Sequence, residues 1–291
     1  DVYKRQAQAY GAKEYHKIST MINYGVLLAI ILSLPCLAVM WIVPIFLLWF
    51  GLDHNLLELT KIFLYALTWG IPSTLIFTVL RDFIVALGYS KLVMVISIIA
   101  IPVNAVLNYI LMYGKLGLPI LGIAGVGYST SCVRWGMLIA LIVCIYLHKE
   151  LSTYISSSHK KLKRVNHVIL IKTILSLGSP IGLMMGMEIG AFSIITFIMG
   201  YFGATALAAH QIAIQCINFV FTIPLGISQA TSIEISYAVG AGRSPEVIQI
   251  LYVATGLCTL VALIVALVFV LSPISVVHLS LIHISEPTRP E

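Results

Sequence analysis

Glu188 stands in the run SPIGLMMGMEIGAF with no other ionisable side chain near it. It lies about 16 residues beyond Lys172 and about 12 before Gly200, or ~24 Å and ~18 Å along a helix. That is close to the middle of an apolar segment, where an ionised group costs at least ~2.5–3.5 kcal/mol on insertion scales. A carboxylate so placed holds either a proton or a cation, and both suit ion-coupled transport; the plainer alternative is a protonated acid bonding a neighbouring helix. Asn104 and Asn108 stand four residues apart, which puts both amides on one helical face. Counted inward from the turn at 114–121 they lie ~15 Å and ~9 Å deep, and Thr130 on the returning segment lies ~13 Å deep. Amide and hydroxyl oxygens are hard donors that suit Na+ better than a soft metal, so Asn104, Asn108, Thr130 and Glu188 are the candidate Na+ ligands. Hydrogen bonding between helices is the competing role for the amides and the hydroxyl.

The remaining ionisable groups have simpler readings. Glu234 shares a loop region with Arg243 and reads as a snorkelling surface charge near a helix end. Arg134 follows Thr130 by one turn, and Arg81 and Asp82 adjoin a loop, so pairing and anchoring account for all three. His210, in AAHQIA, reads as a hydrogen-bonded contact between helices. Cys36, Cys132, Cys144, Cys216 and Cys258 are odd in number, lack CxxC spacing and lie in apolar runs, which predicts small buried apolar side chains. HExxH, GxSxG, a Gly-rich phosphate loop with Lys, and paired carboxylates on one helix are all missing from the sequence. Neither an enzyme nor a bound cofactor is expected.

The elements that must carry these residues follow from composition. The 291 residues are 60% hydrophobic and 10% charged, with a mean hydropathy of +1.03. Soluble domains run near ~45–50% apolar and ~25% charged, which excludes an ordinary cytosolic protein. At roughly 20 apolar residues per crossing, the chain predicts an all-α polytopic membrane bundle of about seven helices. They fall near 21–50, 61–83, 92–113, 123–147, 168–199, 204–239 and 247–271. Pro35, Pro44, Pro72, Pro102, Pro180 and Pro224 are expected to interrupt or start these helices and to allow bends.

If loops alternate sides, one side holds Lys13, Lys17, Arg81, Lys91, Lys149, the Lys160–Arg164 cluster and Arg243. The positive-inside rule makes that side cytoplasmic and makes 148–167 a cytoplasmic linker. The lysines in question can also touch anionic lipid. The net charge of +6 is thus explained by topology, and no nucleic-acid partner is expected. The ends, DVYKRQ and LSLIHISEPTRPE, resemble translated adapter sequence, so 1–6 and 279–291 are expected to be non-native. A shift of 229 lays Gly11, Ala12, Pro44 and Ile45 onto Gly240, Ala241, Pro273 and Ile274. Both copies start on the cytoplasmic side, a parallel repeat that implies a parent of about twelve helices. The chain is therefore expected to be a fragment.

Six segments occur in an order and spacing that resemble the multidrug and toxic compound extrusion (MATE) transporters, NorM-like branch. They are AQAYGAKEY, LRDFIVALGYSK, IPVNAVLNYILMYGKLGLPILGIAGVGYSTSCVRW, LGSPIGLMMGMEIGAF, GATALAAHQIA and AVGAG. The resemblance runs from about Ala7 to Pro273. It implies twelve helices in two six-helix lobes. Residues 7–147 would be the end of helix 2 and helices 3–6 of the amino-terminal lobe, and 168–273 helices 7–9 of the other. It also implies antiport, driven by Na+ or H+, that exports amphipathic cationic drugs and toxic compounds across the cell membrane, with a monomer as the working unit. The family's acidic residue on helix 7 matches Glu188, and its paired asparagines and threonine match Asn104, Asn108 and Thr130. The acidic residues of the family's first and tenth helices fall outside the chain, and Glu234 stands where many members are basic. The alternatives are a lipid-linked sugar flippase of the same superfamily and a non-transporting helical bundle.

Overall fold

The computed structural model describes residues 2–49, 54–156 and 167–271, which form ten helices with no strand among the described residues. In order they are α1 (Val2–Gly11), α2 (Tyr15–Trp49), α3 (His54–Thr68), α4 (Ile71–Ala86), α5 (Ser90–Tyr113), α6 (Ile123–Leu147), α7 (Lys149–Ser156), α8 (His167–Tyr201), α9 (Ala204–Gly240) and α10 (Ser244–Leu271). Six are long and apolar enough to cross a membrane, and α3 with α4 supplies a seventh if the bent pair counts as one span. The chain divides into two compact units, 2–165 and 166–291. The tail at 279–291 and the Lys160–Arg164 cluster lie outside the described residues. Residues 2–6 form the start of α1, where the side chain of Gln6 is fully buried.

In the first unit, α6 packs against α3, α4, α5 and α7, and α2 packs against α1, α3, α4 and α7. A cluster of buried side chains gathers Ile18 and Ile22 from α2, Phe83 and Ile84 from α4, Leu141 and Ile145 from α6, and Leu151 from α7. These residues come from the start of α2 and the ends of α4 and α6, so the cluster sits at one end of the bundle. Farther along α6 the buried positions are small, namely Gly125, Gly127, Ser129 and Ser131. Small residues let helices approach where lipid supplies no hydrophobic drive.

The span expected at 61–83 is not one helix. α3 and α4 meet at a 45° bend. Pro72, in the first turn of α4, has no N–H to give the carbonyl of Thr68. The Gly70 N–H donates to the Leu67 carbonyl at 3.0 Å and so leaves the Ala66 carbonyl without its usual partner four residues on. Ser131 Oγ of α6 donates to that Ala66 carbonyl at 2.8 Å, and Trp135 Nε1, one turn farther, donates to the Trp69 carbonyl at 2.9 Å. The neighbouring helix thus replaces bonds that the break removes. Pro35, Pro44, Pro102, Pro180 and Pro224 lie inside continuous helices. Of the six prolines expected to interrupt or start spans, Pro72 alone coincides with a break among the described residues.

In the second unit, α8 packs on α9 and α9 on α10. A 3.3 Å contact between Thr196 Oγ1 and His210 Nε2 joins α8 to α9, giving His210 the helix-contact role its sequence predicts. Large apolar side chains stay exposed along all three helices, Leu183, Phe219 and Leu263 among them, as expected of surfaces that face lipid. The five cysteines are free, and none is buried: Cys36 and Cys132 are exposed and the other three half-buried. The expectation of small buried side chains therefore fails, because these positions sit on helix faces that no other helix among the described residues fully covers.

Candidate functional site

The asparagine site is built from the α5–α6 hairpin. Gly114 ends α5 in the left-handed region at φ +64°, a conformation that costs glycine little. The chain then folds back, with Leu121 N–H donating to the Leu111 carbonyl and Gly122 N–H to that of Met112, each at 3.2 Å. Gly125 follows so close to α5 that a Cβ there would fall 2.6 Å from the carbonyl carbon and oxygen of Leu111. One turn beyond Gly125 on α6 is Ser129, and one turn before Leu111 on α5 is Asn108. The close approach at the first pair brings the second pair into contact.

Ser129 Oγ donates to Asn108 Oδ1, and Asn108 Nδ2 donates to Asn104 Oδ1 at 3.1 Å. Ser129 is fully buried and the two asparagines are half-buried. The structure therefore joins Asn104 and Asn108, as their spacing predicts, and adds Ser129, which the sequence reading missed. The available signal was the small-xxx-small pair Gly125 and Ser129. Thr130 is turned aside: it lies about 100° round the helix from Ser129, and its Oγ1 donates to the Val126 carbonyl of its own helix at 2.9 Å. Two amide oxygens and a hydroxyl oxygen, all neutral and hard, converge in this network. Each oxygen keeps a lone pair beyond the bond it makes, which is the donor chemistry an alkali cation takes.

Glu188 belongs to the second unit, on α8, between Met187 and Ile189, which are 63% and 67% exposed. Its side chain is exposed on the surface of that unit, with no hydrogen bond or ion pair among the described residues. A burial that the span position alone suggested is therefore not supplied by α9 or α10. Glu188 is the one Asp, Glu, Lys or Arg in the candidate span Gly178–Tyr201. Glu234 is likewise exposed, on α9. Arg243 is engaged elsewhere: its Nη1 binds Glu246 at 3.1 Å and its guanidinium lies 5.3 Å from the centre of the Tyr237 ring. Arg81 pairs with Asp82 at 2.9 Å. Among the described residues no three His, Cys, Asp or Glu side chains gather as a metal site.

The MatE family model matches residues 4–110 and 180–280 of the chain. A probable multidrug resistance protein NorM from Bradyrhizobium diazoefficiens is 35% identical over 234 residues, 80% of this chain and 50% of the relative. One from Acinetobacter baylyi is 34% identical over 260 residues, 87% of this chain and 57% of its own length. The multidrug resistance protein NorM of Vibrio cholerae is 31% identical over 237 residues, 80% of this chain and 50% of its own length. The chain thus spans about half the length of the curated relatives it matches. Among solved structures, the crystal structure of the eukaryotic MATE transporter AtDTX14 superposes with a TM-score of 0.77 at 18% identity, covering 95% of this chain and 62% of that one.

Proposed function

Because the chain belongs to the MatE family and is a multi-pass membrane protein, we propose that the complete protein exports amphipathic organic cations across the cell membrane. Inward flow of Na+ or H+ would drive the export. The observation that carries this reading is Glu188, the single charged residue of its span and one without a protein partner among the described residues. An ionised carboxylate at that depth needs a counter-charge, and a proton, a Na+ ion or a cationic substrate each supplies one. Occupancy by one excludes the others, and that competition is the core of an antiport cycle. Each charge that crosses with the membrane potential contributes ~2.3 kcal/mol per 100 mV.

In the first unit, Asn104 and Asn108, with Ser129 and the adjacent Thr130, form the second half of the proposed coupling machinery. Their neutral oxygens offer a cation hard donors and no net charge, so binding there depends on dipoles already held in place by the hydrogen-bond chain. The proposal includes no cofactor beyond the coupling ion and a single copy of the protein as the working unit. Glu188→Gln in the complete protein is the deciding variant. Loss of ethidium efflux at normal expression is the expected result, and efflux at the wild-type rate would sink the assignment.

A further inference from the structure

His148 joins two helices through its own backbone. Its N–H donates to the Cys144 carbonyl at 3.1 Å and closes α6, and its carbonyl accepts from the Ser152 N–H at 3.0 Å and opens α7. Between those bonds the residue is extended, at φ −87° and ψ 110°, so the direction in which α7 leaves α6 is set where the imidazole is attached. The ring is half-buried and lies edge-on to Tyr89 of the α4–α5 loop. Its Nδ1 is closed to water and has no hydrogen-bond partner among the described residues, whereas Nε2 is not closed off. Because the described residues already enclose Nδ1, helices outside this chain cannot reach it while α7 is docked.

α7 has eight residues, too few to persist as a helix in water without packing. It rests on α6 and α2, held by fully buried Leu151 and by Glu150, which accepts the Tyr89 hydroxyl. The charged groups at this end of the first unit leave His148 without a counter-ion. Glu14 pairs with Lys17 of α2 at 2.6 Å, and Asp82 with Arg81 of α4 at 2.9 Å. Lys91 of α5 and Lys149 of α7 are exposed cations. Glu150 is the remaining carboxylate, and Tyr89 occupies it. The other titratable groups beside the ring are the Tyr89 hydroxyl and, one turn back on α6, the Cys144 thiol.

We propose that His148 is a pH-sensitive latch, whose neutral ring keeps α7 docked and whose protonated ring releases it. In the neutral ring the one proton sits on Nε2, which water can reach. A second proton occupies Nδ1, where the docked ring offers its N–H neither an acceptor nor water, and a charged donor is left unpaired. The ring escapes by turning out to solvent, which swings the first turn of α7 and parts Glu150 from Tyr89. The docked state thus binds fewer protons than the released one, so docking weakens as pH falls. Histidine is the side chain suited to such a change between about pH 5 and 8, and the basic residues at this end mark it as the cytoplasmic one.

The test is hydrogen–deuterium exchange of the complete protein in nanodiscs at about pH 8 and about pH 5.5, with each amide's rate divided by its unfolded-chain rate at the same pH. The expected result is a roughly ten-fold loss of protection at the lower pH, confined to 149–156, with α5 unchanged. His148→Phe keeps a ring against Tyr89 and takes no proton, so α7 should stay protected at both pH values. Glu150→Gln removes the charge and keeps an oxygen for Tyr89, so the pH step should remain. Wild-type protection of α7 that is equal at both pH values, or higher at the lower one, overturns the proposal without any variant. The second of these would mean that the imidazolium pairs with Glu150 and tightens the helix. A full pH step in folded His148→Phe, or its loss in Glu150→Gln, also overturns it by placing the titration elsewhere. None of these readings uses transport, so they stand apart from the efflux test of Glu188→Gln.

Discussion

Ser129 of α6 donates its hydroxyl to Asn108 of α5, and Asn108 in turn donates to Asn104. The serine is fully buried and its oxygen also lies 3.0 Å from the Val126 carbonyl. Its replacement by alanine leaves the half-buried Asn108 oxygen without that donor, a loss of about 0.5–1.5 kcal/mol. Ser129→Ala should therefore lower the thermal midpoint of the purified protein. In the complete transporter it should raise, several-fold, the Na+ or H+ concentration needed for half-maximal efflux. A variant that matches wild type in both measurements would remove Ser129 from the site.

Thr130 supplies the contrasting case. Its hydroxyl bonds its own helix, so Thr130→Val disturbs no contact between α5 and α6. The expected change in cation dependence of efflux is smaller than for Ser129→Ala in the same assay. The reverse ranking would show that the threonine oxygen, not the serine, faces the ion.

Gly125 sets the distance at which this network forms. A Cβ there would lie 2.6 Å from the Leu111 backbone, and backbone gives way less readily than a side chain. Gly125→Ala should cost about 1–3 kcal/mol through forced separation of the two helices. Because the separation also parts Ser129 from Asn108, adding Ser129→Ala in that background should cost less than it does alone. Thermal unfolding of the four members of the cycle gives the answer, and strict additivity would mean that the glycine and the serine act independently.

At the other end of the first unit, Tyr89 donates its hydroxyl to Glu150 of α7 and sets its ring edge-on to His148, with centroids 4.7 Å apart. Leu151 beside them is fully buried. Tyr89→Phe removes the hydroxyl and keeps the ring. The backbone amides of Lys149–Ser156 should then exchange with solvent faster by several-fold, read by hydrogen–deuterium exchange, while those of α5 are unchanged. Equal exchange in both proteins would show that the Tyr89 hydroxyl does not hold α7 in place.

The break between α3 and α4 has a comparable check. Ser131→Ala and Trp135→Phe each delete one donor to its carbonyls, and each should cost about 1–3 kcal/mol of stability. Faster amide exchange confined to 68–74 would locate the damage, and uniform loosening of the whole unit would argue that both side chains act only as packing.

Hydropathy alone exposed the all-helical membrane class and nearly every span, because lipid demands long apolar helices and little else competes with that signal. The bend at Gly70 was not visible in the same way. An average over 61–83 smooths across it, and Pro72 looks no different from the five prolines that leave their helices continuous. The donors that tolerate the bend sit about 65 residues away, beyond any local pattern. Asn104 and Asn108 were legible because a four-residue spacing fixes a shared face. Ser129 and Thr130 were not separable, since depth counted from a turn is good to a residue or two, and one residue rotates a side chain by about 100°. Glu188 was legible as an oddity in its segment, but what surrounds it depends on which helices pack beside α8, and spacing carries no information on that.

The capping of the α3–α4 break also has a history in time. The Ala66 carbonyl is made first and its donor, Ser131, 65 residues later. At ~5–20 residues per second of synthesis, roughly 3–13 s pass in which the bent span has emerged without its partner. During that interval the exposed carbonyl needs water or the insertion machinery as a neighbour, since lipid offers no donor. The bend between α3 and α4 therefore gains its protein donors only when α6 arrives to pack against it.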